Sequence, residues 1–255
     1  MTLYEAQTYP TVLQINPDGN SRIVLVCEHA SPFIPPEFND LGLHSTELKS
    51  HAVWDPGAMA IAEYLADWLD AKLVASSVSR LIYDCNRPPE AVGAMSEQSE
   101  LIKVPGNTNL STAERTRRTN TYYKPFHAAV REALEGTNDP ILVTIHSFTS
   151  VFHGAKRDVE LGVLHDADQR FADLVLSMAP AHTTLRTQRN APYGPEDGVT
   201  HTLQEHGTKL GHPNVMLEIR NDLIANEVDQ TRMARMLSML LTKACHALPS
   251  VRMHT

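Results

Sequence analysis

Four apolar stretches in this chain each run into a cluster of polar residues. Ile23-Val24-Leu25-Val26-Cys27 precedes Glu28-His29, and Leu81-Ile82-Tyr83 precedes Asp84-Cys85-Asn86-Arg87. Ile141-Leu142-Val143-Thr144-Ile145 precedes His146-Ser147, and Val215-Met216-Leu217 precedes Glu218-Ile219-Arg220. Short runs rich in Ile, Val and Leu predict strands buried on both faces. An unpaired charge inside such a strand is costly, so the polar clusters are expected at strand ends. In α/β sheets, ligands bind in the crevice beyond the carboxyl ends of the strands.

Helical spacing of apolar positions predicts a helix over 58–69, after Pro56-Gly57, and a shorter one near 45–51. Lys72–Ser76 and Leu161–Leu164 read as further strands. Ser111-Thr112-Ala113-Glu114 fits a capping box, opening a helix that runs to about Leu134 with a break near Pro125. Further helices are expected near 168–178, over 200–206 with Gly207 as its end, and over 226–246. Residues 1–20, with Pro10, Pro17 and Gly19, read as a loose lead-in. Residues 88–110 and 188–198 are long connections, a type that often serves as a lid. Strands alternating with helices predict an α/β fold. The expectation is a single domain over 1–255, with a mixed, largely parallel sheet of about six to eight strands and helices on both faces.

Composition narrows the role. With 30 acidic and 22 basic residues the formal net charge is −8, which argues against a nucleic-acid partner. No apolar run approaches the length of a membrane span, and the N-terminus has no basic region followed by an apolar core. A cytoplasmic protein with no membrane partner is expected. Cys27, Cys85 and Cys245 are far apart and suggest neither a disulfide framework nor a zinc knuckle.

The polar clusters carry the candidate chemistry. His146 follows five strand-type residues, where a zinc ligand would be well placed; otherwise a loop carbonyl satisfies it. His29 and Glu28 could converge on one ion only if the first strand ends there. Asp55 reads equally as a helix N-cap and as the carboxylate of a His₂-carboxylate site, with His51 a weaker alternative. Asn86-Arg87 suits a substrate carboxylate, or Arg87 pairs with Asp84 or Glu90; Arg80 is a second candidate. Glu218 could act as a general base or pair with Arg220. His153, Tyr193, Asn190 and His206 could line the pocket.

These motifs resemble the N-formylglutamate amidohydrolase family. The resemblance rests on Val26-Cys27-Glu28-His29-Ala30-Ser31, Trp54-Asp55-Pro56-Gly57-Ala58, Ser79–Pro88, Tyr123–His127, Ile145–Phe148, Asn190–Gly194 and Leu217–Asp222, in that order over roughly residues 22–245. Their order also resembles the zinc carboxypeptidase and aspartoacylase superfamily. The resemblance implies a zinc-exopeptidase-like fold and hydrolysis of a small N-acyl amino acid, N-formyl-L-glutamate above all. It also implies one divalent metal ion, Zn²⁺, on His29 and His146, a carboxylate clamp at Asn86 and Arg87 supported by Arg80 and Tyr193, and Glu218 as base. The carboxypeptidase pattern places a Glu ligand three residues after the first His; here that position is Pro32, so the carboxylate ligand is Asp55, or else Glu28. A peptidase, another N-acyl amino acid deacylase, or a non-catalytic carboxylate-binding protein are the rival readings.

Overall fold

The computed structural model describes residues 9–249. Seven strands form one sheet: β1 (Val12–Ile15), β2 (Ile23–Cys27), β3 (Lys72–Ser76), β4 (Ile141–Phe148), β5 (Leu161–Leu164), β6 (Thr187–Arg189) and β7 (Asn214–Arg220). Their order is β1-β3-β2-β4-β7-β5-β6. The central strands β3, β2, β4 and β7 are parallel. At one edge β1 runs antiparallel to β3, and at the other β5 runs antiparallel to β7 while β6 follows β5 in parallel.

Successive strand side chains point to opposite faces, and two apolar cores follow from this. Ile23, Leu25, Ile141, Val143, Ile145, Val215 and Leu217 pack with helices α1 (Ala58–Leu69), α4 (Arg170–His182) and α5 (Glu227–Ala247). Val24, Val26, Leu142 and Met216 face the other way, toward α3 (Lys124–Glu135), which follows α2 (Thr112–Arg118). The expected mixed α/β architecture is what forms.

Several elements differ from expectation for identifiable reasons. Leu81–Tyr83 is a buried turn and no strand. Ser79 organises it: its Oγ donates to the Val53 carbonyl and accepts from the Leu81 amide. Only a three-residue 3₁₀ turn, Glu47–Lys49, forms within 45–51. The lead-in contains β1, and the start of the 188–198 loop belongs to β6. Pro125 does not break its helix. Lacking an N–H it cannot bond the preceding turn, and the chain widens into a π turn over Thr119–Tyr123 just before it. The 200–206 segment carries on past Gly207 to Leu210, where Gly211 ends it in a left-handed conformation.

Register sets up the site. β4 and β7 pair His146 with Glu218, and β2 and β4 pair Val26 with Thr144. Two residues further on, Glu28 therefore falls beside His146. His146 and Glu218 form one row across β4 and β7, on the α3 side, and Glu28, just past the end of β2, meets the His146 ring. Gly162 of β5 continues that row opposite Glu218. A Cβ there would lie 2.1 Å from the Ala191 carbonyl oxygen, so only glycine fits.

Candidate active site

β2 ends at Cys27, which frees Glu28 and His29 from strict alternation and lets both reach His146. Asp55 does not cap α1, whose N-cap is Gly57. Its carboxylate turns inward and is held between two histidines. Asp55 Oδ2 lies 3.2 Å from His29 Nδ1 and 2.9 Å from His146 Nδ1. The Ser147 amide donates to the same oxygen at 3.3 Å. His29, Asp55 and His146 are all buried, and their ligand atoms lie within 4.8 Å of one another.

The outer nitrogen of each histidine is backed by another carboxylate. His29 Nε2 meets Asp84 Oδ1 at 2.8 Å, and His146 Nε2 meets Glu28 Oε2 at 3.0 Å. A carboxylate behind the outer nitrogen fixes the tautomer of a metal-binding imidazole and raises its basicity. Arg80 spans the two aspartates, with Nη1 3.3 Å from Asp55 Oδ1 and Nη2 3.0 Å from Asp84 Oδ2. Burial acts to raise the Asp55 and Asp84 carboxyls. For Asp55 the His29 and His146 interactions outweigh it, and for Asp84 the His29 and Arg80 charges do; both carboxyls are held well below the usual range.

Glu218 is tuned the other way. It is buried, its Oε2 has no hydrogen-bond partner, and burial pushes its carboxyl up to about 7 against the opposing pull of His146. A carboxyl poised there can accept and return a proton near neutral pH.

The remaining predicted residues divide. Arg80, Asn86, Arg87 and Tyr193 line one cavity of about 280 Å³ together with His29, Asp55, His146 and Glu218. The Asn86 side chain is engaged at both ends: Nδ2 donates to the Val199 carbonyl and Oδ1 accepts from the Thr202 amide. It therefore ties the 84–87 turn to residues 199–202. Arg87 Nη1 donates to the carbonyls of Asp197 and Gly198 at 2.9 and 2.6 Å, while its Nη2 has no hydrogen-bond partner among the described residues. Gly198 has φ +67, and a Cβ on it would press on Arg87 Nη1 at 2.6 Å. Tyr193 accepts from Arg157 Nη1 at 2.9 Å, and the Arg157 guanidinium stacks on its ring. His51 takes no part in the histidine–aspartate group and instead meets Glu100. Asn190 bonds the His165 amide, and His206 sits in a separate buried layer against His127.

Asp84 is the residue that sequence reasoning passed over, having treated it only as a partner for Arg87. Its place in the second polar cluster was the available signal. Glu28, kept there as a substitute ligand, stands behind His146 rather than beside Asp55.

Carboxylate-backed imidazoles and a protonatable glutamate toward the carboxyl ends of parallel strands make a hydrolytic site on a mixed α/β fold. The particular family follows from comparison: the N-formylglutamate amidohydrolase family model matches residues 21–225, and the chain belongs to that family, whose members hydrolyse an amide of a small-molecule substrate. A crystal structure of a gene product from Agrobacterium tumefaciens superposes with a TM-score of 0.90 at 49% identity, covering 93% of this chain and 95% of that one. The N-formylglutamate amidohydrolase from Ralstonia eutropha shares the fold with a TM-score of 0.74 at 19% identity, covering 93% of this chain and 98% of that one. A search of curated proteins found no significant match. Among the described residues no helix is long and apolar enough to cross a membrane.

Proposed function

We propose that this chain is a metal-dependent amidohydrolase of small N-acyl amino acids, with N-formyl-L-glutamate, cleaved to formate and glutamate, as its substrate. The observation that carries the metal dependence is the pair of imidazoles that turn Nδ1 to a single Asp55 oxygen while a carboxylate backs each Nε2. The residues fit a divalent cation. The three ligand atoms lie within 4.8 Å of one another, with Asp55 Oδ2 3.2 and 2.9 Å from the two Nδ1 atoms, a cluster of the N/O donors that zinc takes. Four buried carboxylates, Glu28, Asp55, Asp84 and Glu218, surround the site. Arg80 pairs with Asp55 and Asp84, and against the opposing effect of burial the carboxylates around His29 and His146 raise the affinity of both rings for positive charge, which a proton or a cation can supply. His29, Asp55 and His146 would hold it, Zn²⁺ being the ion suited to this N/O set.

When bound, the ion supplies Lewis acidity toward the acyl oxygen and the attacking water. The chain's own residues do the rest. Glu218 takes the water's proton on a carboxylate oxygen and passes it to the departing nitrogen, a role that suits a group titrating near neutrality. Arg87 lines the cavity with Nη1 held by the Asp197 and Gly198 carbonyls and Nε 4.0 Å from Asp84 Oδ2, which leaves Nη2 to receive the α-carboxylate and orient the amide. Arg80 and Asn86 act by position: Arg80 holds Asp55 and Asp84, and Asn86 holds the wall at 199–202. Tyr193 closes the side nearest Arg157.

The test is release of formate from N-formyl-L-glutamate by a chelator-stripped preparation, before and after zinc is restored. Turnover that appears only with zinc is the expected result. Absence of turnover in the zinc-loaded protein would refute the substrate assignment.

A further inference from the structure

One carboxylate in the cavity has no part in the chemistry above. Glu100 stands at the turn of a small hairpin, Gln98–Ser99 with Ile102–Lys103, inside the long 88–110 connection. Its Oε2 accepts from His51 Nε2 at 2.9 Å and its Oε1 from the His153 amide at 3.2 Å. A carboxylate is only an acceptor, so His51 must carry its proton on Nε2. No arginine or lysine pairs with Glu100 among the described residues. Glu100 and His153 both have positive φ, 51° and 47°, a conformation that costs a non-glycine residue of order 1 kcal/mol and persists where the surroundings enforce it. His51 and Glu100 line the same cavity as His29, Asp55 and His146, as does Phe152, the neighbour of His153.

Two donors from separate loops thus converge on a carboxylate inside a substrate cavity. That carboxylate belongs to a glutamate side chain. We propose that His51 Nε2 and the His153 amide form the subsite for the distal carboxylate of the substrate, and that Glu100 fills it as an internal stand-in when no substrate is bound. This rests on the amidohydrolase reading above and adds the residues that select a dicarboxylic N-acyl amino acid. Joint occupancy would set two like charges side by side, so the substrate exchanges with Glu100 instead. No covalent bond changes; the Glu100 side chain, at the tip of a hairpin whose next residue Leu101 is 75% exposed, moves out to water. A neutral carboxamide carries no charge for these donors to stabilise and is matched only if His51 shifts its proton to Nδ1, so the site favours the diacid.

The experiment compares zinc-loaded wild type, His51→Ala and Glu100→Ala. It reads kcat/KM for N-formyl-L-glutamate against N-formyl-L-glutamine, and calorimetric binding of glutarate against butyrate. Losing a hydrogen bond to a charged group predicts that His51→Ala lowers the diacid-to-amide ratio about tenfold or more. Glu100→Ala removes the competitor, so the ratio should rise and glutarate should bind at least about threefold tighter, the order expected for one released hydrogen bond. A ratio and a glutarate affinity that are unmoved in Glu100→Ala would overturn the proposal, as would equal losses on both substrates in His51→Ala. If wild type turned over neither substrate, the amidohydrolase assignment would fall. Opposite shifts in glutarate binding in the two variants would then still establish the subsite, and unchanged binding would remove it.

Discussion

Asp84 and Glu218 are both buried carboxylates on the same two histidines' surroundings, yet they are held in opposite states. Asp84 accepts from Arg80, from the Asn86 amide and from His29, and stays ionised. Glu218 has an oxygen with no partner and holds a proton up to about pH 7. The two should therefore fail differently. Asp84→Asn should weaken zinc affinity by about 10–100-fold, the usual cost of losing a carboxylate behind a ligand, as read by competition with a chromogenic chelator. Glu218→Gln should keep zinc and lower kcat by about 10²–10⁴-fold, the usual contribution of a general base; retention of wild-type kcat would remove Glu218 from that role. At this scale the sequence was legible where an apolar run turns polar. His29, His146 and Glu218 stood out there, although the strands of His146 and Glu218 continue two residues further, to Phe148 and Arg220, and Asp55 stood out by the turn that follows it. What stands behind a ligand was not legible, because a side chain's second neighbour is set by register and loop path. Asn86 shows the limit from the other side: an amide has a donor end and an acceptor end, and here the backbone of 199–202 takes both.

Among elements, the π turns Thr119–Tyr123 and Leu203–Gly207 bring Tyr123 and His206 into one layer with His127 and His201. Tyr123 Oη meets His201 Nε2 at 2.9 Å, and His127 on α3 meets His206 at 2.7 Å. His127 Nε2 must donate to the Cys85 carbonyl, so its Nδ1 accepts from His206 Nε2, and His206 Nδ1 is a buried, unpartnered acceptor. Burial lowers His127 to about 4, with repulsion from His201, and His206 to about 3, with repulsion from His127. Both values lie below the unfolded value near 6.5, so the unfolded chain takes up protons that the fold refuses. Stability from this pair is full above about pH 6.5 and is lost as the pH falls toward 4 and 3. At ~1.4 kcal/mol per pH unit, His127 alone costs about 3 kcal/mol by pH 4. Urea unfolding from pH 7 to 4 should show a shallower decline in His206→Gln than in wild type, and parallel declines would count against this account. None of this layer could be read from the sequence, because π turns have no local sequence signature beyond Pro125. The long amphipathic helices and the Val- and Ile-rich strands were legible. Leu81–Tyr83 was misread because three apolar residues suit a buried turn as well as a strand.

For the molecule as a whole, the proposed metal site, set among four buried carboxylates at one end of the sheet, would make the fold itself a sensor of the cation. A ligand that binds only the native state stabilises it by about 2.7 kcal/mol at a hundredfold excess over Kd. For a chain of this size that is a rise of about 5–10 °C in Tm. Scanning fluorimetry of stripped protein with and without zinc should show this rise, and Asp55→Ala should abolish it; equal melting in both states would argue that the site holds no zinc. The reversal of β5 has a consequence of another kind. Because β5 runs against β7, the connection that leaves β4 and enters β5 begins and ends at the same end of the sheet, and it passes over the end of β7, where the Arg220 amide bonds the Glu160 carbonyl. That connection carries Phe152, His153 and Arg157 and crosses no helix layer. Insertions and deletions there can be absorbed without rethreading the chain, so this rim of the cavity can change in length and composition while the strands beneath it keep their order and register.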